Sequence, residues 1–368
     1  MRLGTCIALE LAVAAGAIGG LWFGVGYTTE VARDYLATHE AAAATATSDV
    51  VSPPAIDRTH AERVPAATLV VAAPANVATV FPGPDGELLS PINGPVTRAK
   101  LNHGGTSLTL RLDFASGARA AFKPEQTHPQ SDPRREIAAY RLDRLLGIGH
   151  VPPAKSIAVP VDEIVAGVEP MFRDYTAGRI ADEGLARNGV LRGEVSWWIP
   201  DIKNGKFGPH PMDDADGMDL WSSFLQAGAK RPVELRAMLA QIATVVVFDV
   251  ITDNADRWSG NNTKVSLDNA TLYFMDNTLA FSPYTLGHET NLHALMRVQV
   301  FPRQLVTRVR ALSYEAIAAA LAGGDDGGLA PLLSPIEIRA ILARRDHVVE
   351  YIDALIAQYG EAAVLAMP

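Results

Sequence analysis

Two short acidic segments constrain this chain more than any other feature: Asp253-Asn254-Ala255-Asp256-Arg257-Trp258-Ser259-Gly260-Asn261-Asn262 and Phe274-Met275-Asp276-Asn277. The interval between Asp256 and Asp276 reads as loop, strand, tight turn and strand, with Thr263 to Leu267 and Thr271 to Met275 extended around Asp268-Asn269. Asp276 then emerges at a strand end. Phosphoryl transfer needs such a set. One carboxylate (Asp256) orients the attacking hydroxyl, while the Asn at the fifth position after it (Asn261) and a second carboxylate (Asp276) hold the metal that neutralises the phosphates. Alone, Asp-Asn-Ala-Asp-Arg is an ordinary capping and turn cluster. The spacing to Asn261 and Asp276 sets it apart.

A third feature lies upstream. Thr106 to Asp113 and Ala118 to Lys123 alternate as two strands around the turn Ser116-Gly117. His103-Gly104-Gly105-Thr106 opens the first, where glycines let backbone amides approach a phosphate; taken alone, such a Gly pair is commonly a plain turn. Lys123 ends the second strand and Pro124 stops it. Arg134 to Leu146 is an amphipathic helix with Ile137, Ala138, Leu142, Leu145 and Leu146 on one face and Glu136 in its first turn. A strand lysine is ordinarily a solvated edge residue, and a first-turn glutamate ordinarily complements the helix dipole. Together, a strand Lys followed by a helix Glu is how the α and β phosphates of a nucleotide are held. Gly193-Glu194-Val195-Ser196-Trp197-Trp198-Ile199-Pro200-Asp201 fits either a core strand or a hinge between lobes where an adenine ring packs.

The helix expected from Pro232 to Ile251 delivers the Asp256 loop; Phe301 to Leu321 and Pro335 to Tyr359 also read as helices, the latter opened by the capping box Ser334-Pro335-Ile336-Glu337. Two metal templates fail. With Gly217 as the turn glycine of an EF-hand, Met212 and Ser223 occupy the positions that need Asp and Glu. His288 and His293 are spaced wrongly for a zinc protease helix. A net charge of -9 gives no electrostatic footprint for nucleic acid, and the single cysteine, Cys6, excludes intrachain disulfides and multi-thiolate metal sites.

The 368 residues suffice for one two-lobed domain plus a tail. Leu11 to Thr29 carries no charge and approaches the length of a spanning helix; residues 1–29 are read as a signal anchor in preference to a cleaved signal peptide. Residues 30–75, rich in Ala, Thr and Pro, form a linker. Residues 76–200 make a small lobe with its hinge, and 201–368 a larger lobe.

From about Gly104 to Gly360 the chain resembles the secretory-pathway (Golgi) atypical kinases, the group holding the casein-type secreted-protein kinase and the glycosaminoglycan xylose kinase. Gly105-Thr106-Ser107-Leu108 with Ala121-Phe122-Lys123-Pro124 resembles that family's N-lobe hairpin. Glu136 to Leu146 followed by Val151-Pro152-Pro153 resembles its metal-contacting helix and exit, Trp198-Ile199-Pro200-Asp201 its hinge, and Asn254-Ala255-Asp256-Arg257 with Met275-Asp276-Asn277 its catalytic and metal motifs. The resemblance implies an α+β, atypical two-lobed protein-kinase-like fold, with a small β-rich N-lobe and a mainly helical C-lobe, preceded by an N-terminal apolar helix. It implies ATP with Mn²⁺ or Mg²⁺. Gly104, Gly105, Thr106, Lys123, Glu136, Trp197, Trp198 and Ile199 would contact the nucleotide, Asp256 would be the base, and Glu136 and Asp276 would hold the metal, together with Asn261 as read from its spacing. Where the family carries two histidines and then a Glu, this chain has Trp258-Ser259 and Asn261, a variant closer to toxin-type and phosphoinositide kinases. The implied acceptor is a hydroxyl of a protein (Ser/Thr) or a glycan, on the periplasmic or luminal side of a membrane. Alternatives are a nucleotide-binding pseudokinase scaffold and, ranked lower because no Lys or Arg follows Asp276 until Arg297, a phosphoinositide-type lipid kinase.

Overall fold

The computed structural model describes residues 77–102, 106–258, 262–322 and 328–367, all within one compact unit, Thr68–Pro368. The N-terminal segment 1–29, the linker 30–75, Gly104, Gly105 and Asn261 lie outside the described residues.

A short helix, α1 (Asp85–Leu89), leads into an antiparallel five-stranded sheet of β1 (Val96–Leu101), β2 (Leu110–Phe114), β3 (Arg119–Pro124), β4 (Ala154–Pro160) and β5 (Val190–Trp197), in the order β1-β2-β3-β5-β4. Alternation decides its two faces. Leu110, Leu112, Ala120, Phe122, Leu191 and Val195 point one way into a core. Each large apolar side chain buried there contributes about 1.5–3 kcal/mol. The opposite face carries Lys123 directly across from Glu194, and Ala121 across from Ser196. Helix α2 (Pro133–Leu145) brings Glu136 to this second face, with Asp132 as its N-cap and Pro133 at its first turn. Helices α3 (Val161–Gly167) and α4 (Pro170–Glu183) are inserted between β4 and β5 and add Ile164 and Ile180 to the first core.

The first strand of the lysine hairpin starts later than its alternation suggests, at Leu110 rather than Thr106. The reason is local. The Gln126 side chain accepts from Leu108 N at 2.7 Å and donates to Leu108 O at 2.9 Å, so a side-chain amide takes the place of a strand neighbour. Gly193 is required where β5 meets β3: a Cβ there would lie 2.4 Å from Lys123 O and 2.6 Å from Pro124 Cα.

The second lobe is mainly helical. Small strands β6 (Ile202–Asn204), β7 (Lys206–Phe207) and β8 (His210–Pro211) precede α5 (Ala215–Phe224), which Asp214 caps by accepting from Gly217 N at 2.6 Å. The acidic run around Asp213 is therefore a helix start. A single 3-10 turn, Val233–Leu235, leads into α6 (Arg236–Thr252), the buried axis of the lobe. By length and composition Val233–Thr252 is the one helix among the described residues that could cross a membrane; two thirds of it is buried inside the protein, as a core helix is. Strands β9 (Lys264–Ser266) and β10 (Leu272–Tyr273) pair as the expected hairpin, and β9 also pairs with β6. Beyond them lie α7 (Glu289–Met296), α8 (Arg303–Arg310), α9 (Tyr314–Ala322), α10 (Pro335–Tyr359) and α11 (Glu361–Val364). The helix expected over Phe301 to Leu321 is two helices. Leu312 turns inward and the Ser313 hydroxyl accepts from Ala316 N at 3.1 Å, capping the second. The capping box at Ser334 and Glu337 forms as read from sequence.

Candidate active site

Lys123 stands at the centre. Its ammonium donates to Glu136 Oε1 at 2.5 Å and to Asp276 Oδ1 at 2.7 Å. Burial works against a charged lysine, but the Asp276 and Glu136 carboxylates outweigh it and hold Lys123 above the usual lysine range. The same ammonium holds the exposed Asp276 carboxylate below the usual range. Three elements meet here: β3, the first turn of α2, and the turn that follows β10, where Asp276 is the third residue beyond Tyr273.

Asn277 locks the meeting in place. Its backbone N–H donates to Glu136 Oε1 at 3.0 Å and its Nδ2 to Glu136 Oε2 at 3.1 Å. Asn277 Oδ1 accepts in turn from Asn254 Nδ2 at 3.2 Å and from Arg257 Nη2 at 3.0 Å. Arg257 is fully buried and paired with Asp249 of α6 (Nε to Oδ2, 3.1 Å), while its Nη1 donates to Met275 O. Burial pushes the Asp249 carboxyl up to about 6, with Arg257 pulling the other way. One guanidinium thus ties the Asp256 loop to the strand that delivers Asp276. Half-buried Asp256 is oriented by Asn262, whose Nδ2 donates to Asp256 Oδ2 at 2.7 Å and to Asp256 O at 3.0 Å.

The backbone is bent hard at this site. Asp253 and Asp276 adopt left-handed φ values of 61° and 59°, a conformation uncommon for residues other than glycine. Asp253, first residue of the acidic motif, is not a cleft carboxylate. It caps α6, is fully buried, and accepts from His288 N at 2.7 Å and Asn291 Nδ2 at 3.2 Å as well as from the Ser282 hydroxyl. Burial alone would raise it; the Ser282 and His288 hydrogen bonds more than offset that and hold it low. Buried Arg344 of α10 supports the same segment, donating to Ile251 O at 3.0 Å, Ser282 O at 3.1 Å and Tyr284 O at 2.5 Å.

The hinge residues divide. Trp197 packs on the sheet core, its ring edge-on to Phe81 at 5.8 Å. Trp198 lies under the Arg111 guanidinium at 5.9 Å, and Arg111 pairs with Ala121 on the Lys123 face. Ile199 is buried. The small residues on that face beside Trp198 are Ala121 and Ser196, so the register puts Ser196 where the sequence suggested Trp197. The amides of Trp197 and Trp198 already donate to Pro153 O and Arg119 O, at 2.9 and 3.3 Å. Thr106 is exposed in the β1–β2 connection.

Sequence reasoning missed Glu194. It is fully buried across from Lys123; Ser196 donates to Oε1, and Oε2 has no hydrogen-bond partner among the described residues. Burial and the neighbouring Glu136 push its carboxyl well above the usual range. A carboxylate within the largely apolar segment Gly193 to Asp201 was the available signal. Arg344 had one too, standing on the buried face of α10 with Ile341 and Val348.

Among the described residues no three acidic, His or Cys side chains cluster as a ready-made metal site. Glu136 and Asp276 nevertheless converge on one cation, the Lys123 ammonium. Two hard carboxylates on one point suit Mg²⁺ or Mn²⁺, which take one or two carboxylates and complete their shell with water and phosphate oxygens.

No family model matches the chain. Human glycosaminoglycan xylosylkinase is 22% identical over 304 residues, which cover 73% of this chain and 74% of that protein. The Danio rerio glycosaminoglycan xylosylkinase is 23% identical over 256 residues, 59% of this chain and 62% of its own length. The human extracellular serine/threonine protein kinase FAM20C is 30% identical over 116 residues, 28% of this chain and 19% of that one. Among solved structures, the Golgi casein kinase with Mn/ADP bound superposes with a TM-score of 0.59 at 16% identity, covering 76% of this chain and 78% of that one. The hydra Fam20 with sugar superposes with a TM-score of 0.55 at 16% identity, covering 78% and 95%. These superpositions establish a common two-lobed fold.

Proposed function

We propose that this chain, a relative of the Fam20-like atypical kinases, is an ATP-dependent and metal-dependent phosphotransferase acting on a hydroxyl of a protein or a glycan. The observation that carries the reading is the convergence of Glu136 and Asp276 on the Lys123 ammonium, with the Asp256 loop braced to the same point through Asn277 and Arg257. Such chemistry consists largely of positioning and charge neutralisation.

Lys123 holds the nucleotide phosphates, and β3, α2 and the Asp276 turn fix where it stands. Glu136 and Asp276 are the side chains to hold a Mn²⁺ or Mg²⁺ ion, with Asn261 as a further oxygen donor. The ion, when bound, supplies neutralisation of phosphate charge. Asp256, its carboxylate set by Asn262, orients the acceptor hydroxyl and takes its proton. Trp198, with Ala121 and Ser196, forms the wall against which the adenine lies, and Gly104, Gly105 and Thr106 belong to the loop over the phosphates. Residues 76–200 and 201–368 are the two lobes of this machine. Apolar residues 1–29 anchor it at a membrane, with the kinase domain on the extracytoplasmic side.

The test is transfer from γ-labelled ATP, with Mn²⁺ or Mg²⁺, to a panel of Ser/Thr proteins and xylosides. Full-length protein should label one acceptor class, and Asp256→Ala and Asp276→Ala should each lose that labelling while staying folded. Equal transfer by both variants would overturn the reading.

A further inference from the structure

A cavity of about 370 Å³ opens on the helical lobe, and its side chains are of one sign. Lys230, Arg231 and Arg236 line it, together with Ala229, Ala366 and Met367; among the described residues no carboxylate does, and Glu234, the acid nearest in sequence, is not among its walls. None of these residues belongs to the cluster around Lys123.

Lys230 and Arg236 are exposed, and Arg231 between them is half-buried. Arg231 is preset: its Nη1 donates to Phe224 O at 3.2 Å, Gln226 O at 3.2 Å and Ala229 O at 3.1 Å. That leaves Nε and Nη2 with no hydrogen bond to the described residues, free to meet a ligand side by side. Lys230 and Arg236 form no ion pair among the described residues. Arg236 also opens the 17-residue helix α6, whose N-terminus adds positive potential. Burial lowers the Arg231 pKa, and the charge of Arg236 beside it lowers it further. In a chain of net charge -9, three cations that converge with no counter-ion among the described residues repel one another, and an anion placed among them relieves this. A guanidinium with its Nε and Nη2 nitrogens free suits the paired oxygens of phosphate or sulfate. The space exceeds that of a lone oxyanion and lies within the range of small-molecule sites.

We propose that this cavity is a second, non-catalytic site that binds the phosphate or sulfate group of a small ligand, with Arg231 as the fixed contact and Lys230 and Arg236 closing around it. The inference stands apart from the kinase reading, since it uses none of the same residues.

Calorimetric titration of the full-length protein with inorganic phosphate, inorganic sulfate and ribose 5-phosphate tests it. Saturable, salt-sensitive binding is expected, weakened about tenfold or more in the Lys230→Ala/Arg236→Ala double variant, as befits loss of charge-assisted hydrogen bonds. Both residues are exposed, so the variant should keep its melting temperature. Tighter binding of ribose 5-phosphate than of the free ions assigns the site to an ester; equal binding assigns it to the free oxyanion. Lys123→Met should leave the titration unchanged. Absence of saturable binding, or binding lost in Lys123→Met yet retained in the double variant, would overturn the proposal.

Discussion

Lys123 Nζ lies 2.7 Å from Asp276 Oδ1, although 153 residues separate them in the chain. The contact spans the two lobes and is stabilised from both sides by charge. Replacing Lys123 with Met removes a shared cation and leaves Glu136 and Asp276 facing each other. Steady-state kinetics should then give a kcat/KM for ATP lower by about two orders of magnitude, the equivalent of roughly 2.7 kcal/mol of lost stabilisation at the phosphates. Unchanged ATP dependence would remove Lys123 from that role.

Arg257 and Asp249 form a pair that is almost wholly buried. Removing the acid strands a guanidinium that keeps its charge. Asp249→Ala should cost about 3–5 kcal/mol, the usual penalty for breaking such a pair, read as a lower urea midpoint. A near-neutral result would mean that the carbonyl and amide partners of Arg257 suffice.

Glu194 gives a pH signature. Its carboxyl is raised above the model-compound value of 4.5, so the folded state binds the proton more tightly than the unfolded chain. Its unfavourable contribution is absent below pH 4.5, grows as pH rises toward the folded value, and is complete above it. Glu194→Gln should therefore raise the melting temperature at neutral pH and change it little at pH 4. Equal shifts at both would show that charge is not the cause.

Gly193 sets the spacing of β3 and β5. The contacts a Cβ would make are backbone atoms of Lys123 and Pro124, which cannot rotate away. Gly193→Ala should destabilise by about 1–3 kcal/mol, as overpacking does, and should also weaken nucleotide binding by displacing Lys123. Denaturation together with Mn·ADP titration checks both; a stable variant with intact binding would contradict the strand geometry.

Much of this was legible along the chain. The lysine strand, the Glu136 helix, the helix before Asp253 and the hairpin before Asp276 follow from local alternation, 3.6-residue periodicity and capping residues, and the structure has each within a few residues. Trp258 illustrates the limit of motif matching. Its ring packs on buried Trp221, centroids 5.5 Å apart, a contact no pattern in the loop announces.

The sequence by itself determined the elements and the residue types that bear chemistry, because helices, strands and caps depend on neighbours a few positions away. Only the tertiary structure decided which carboxylates share Lys123, that Asp253 is a buried brace while Asp276 is not, and that Ser196 rather than Trp197 stands beside Ala121. A strand turns successive side chains to opposite faces, so a shift of one residue in pairing exchanges core for cleft. That register is fixed by contacts across the sheet and between the lobes.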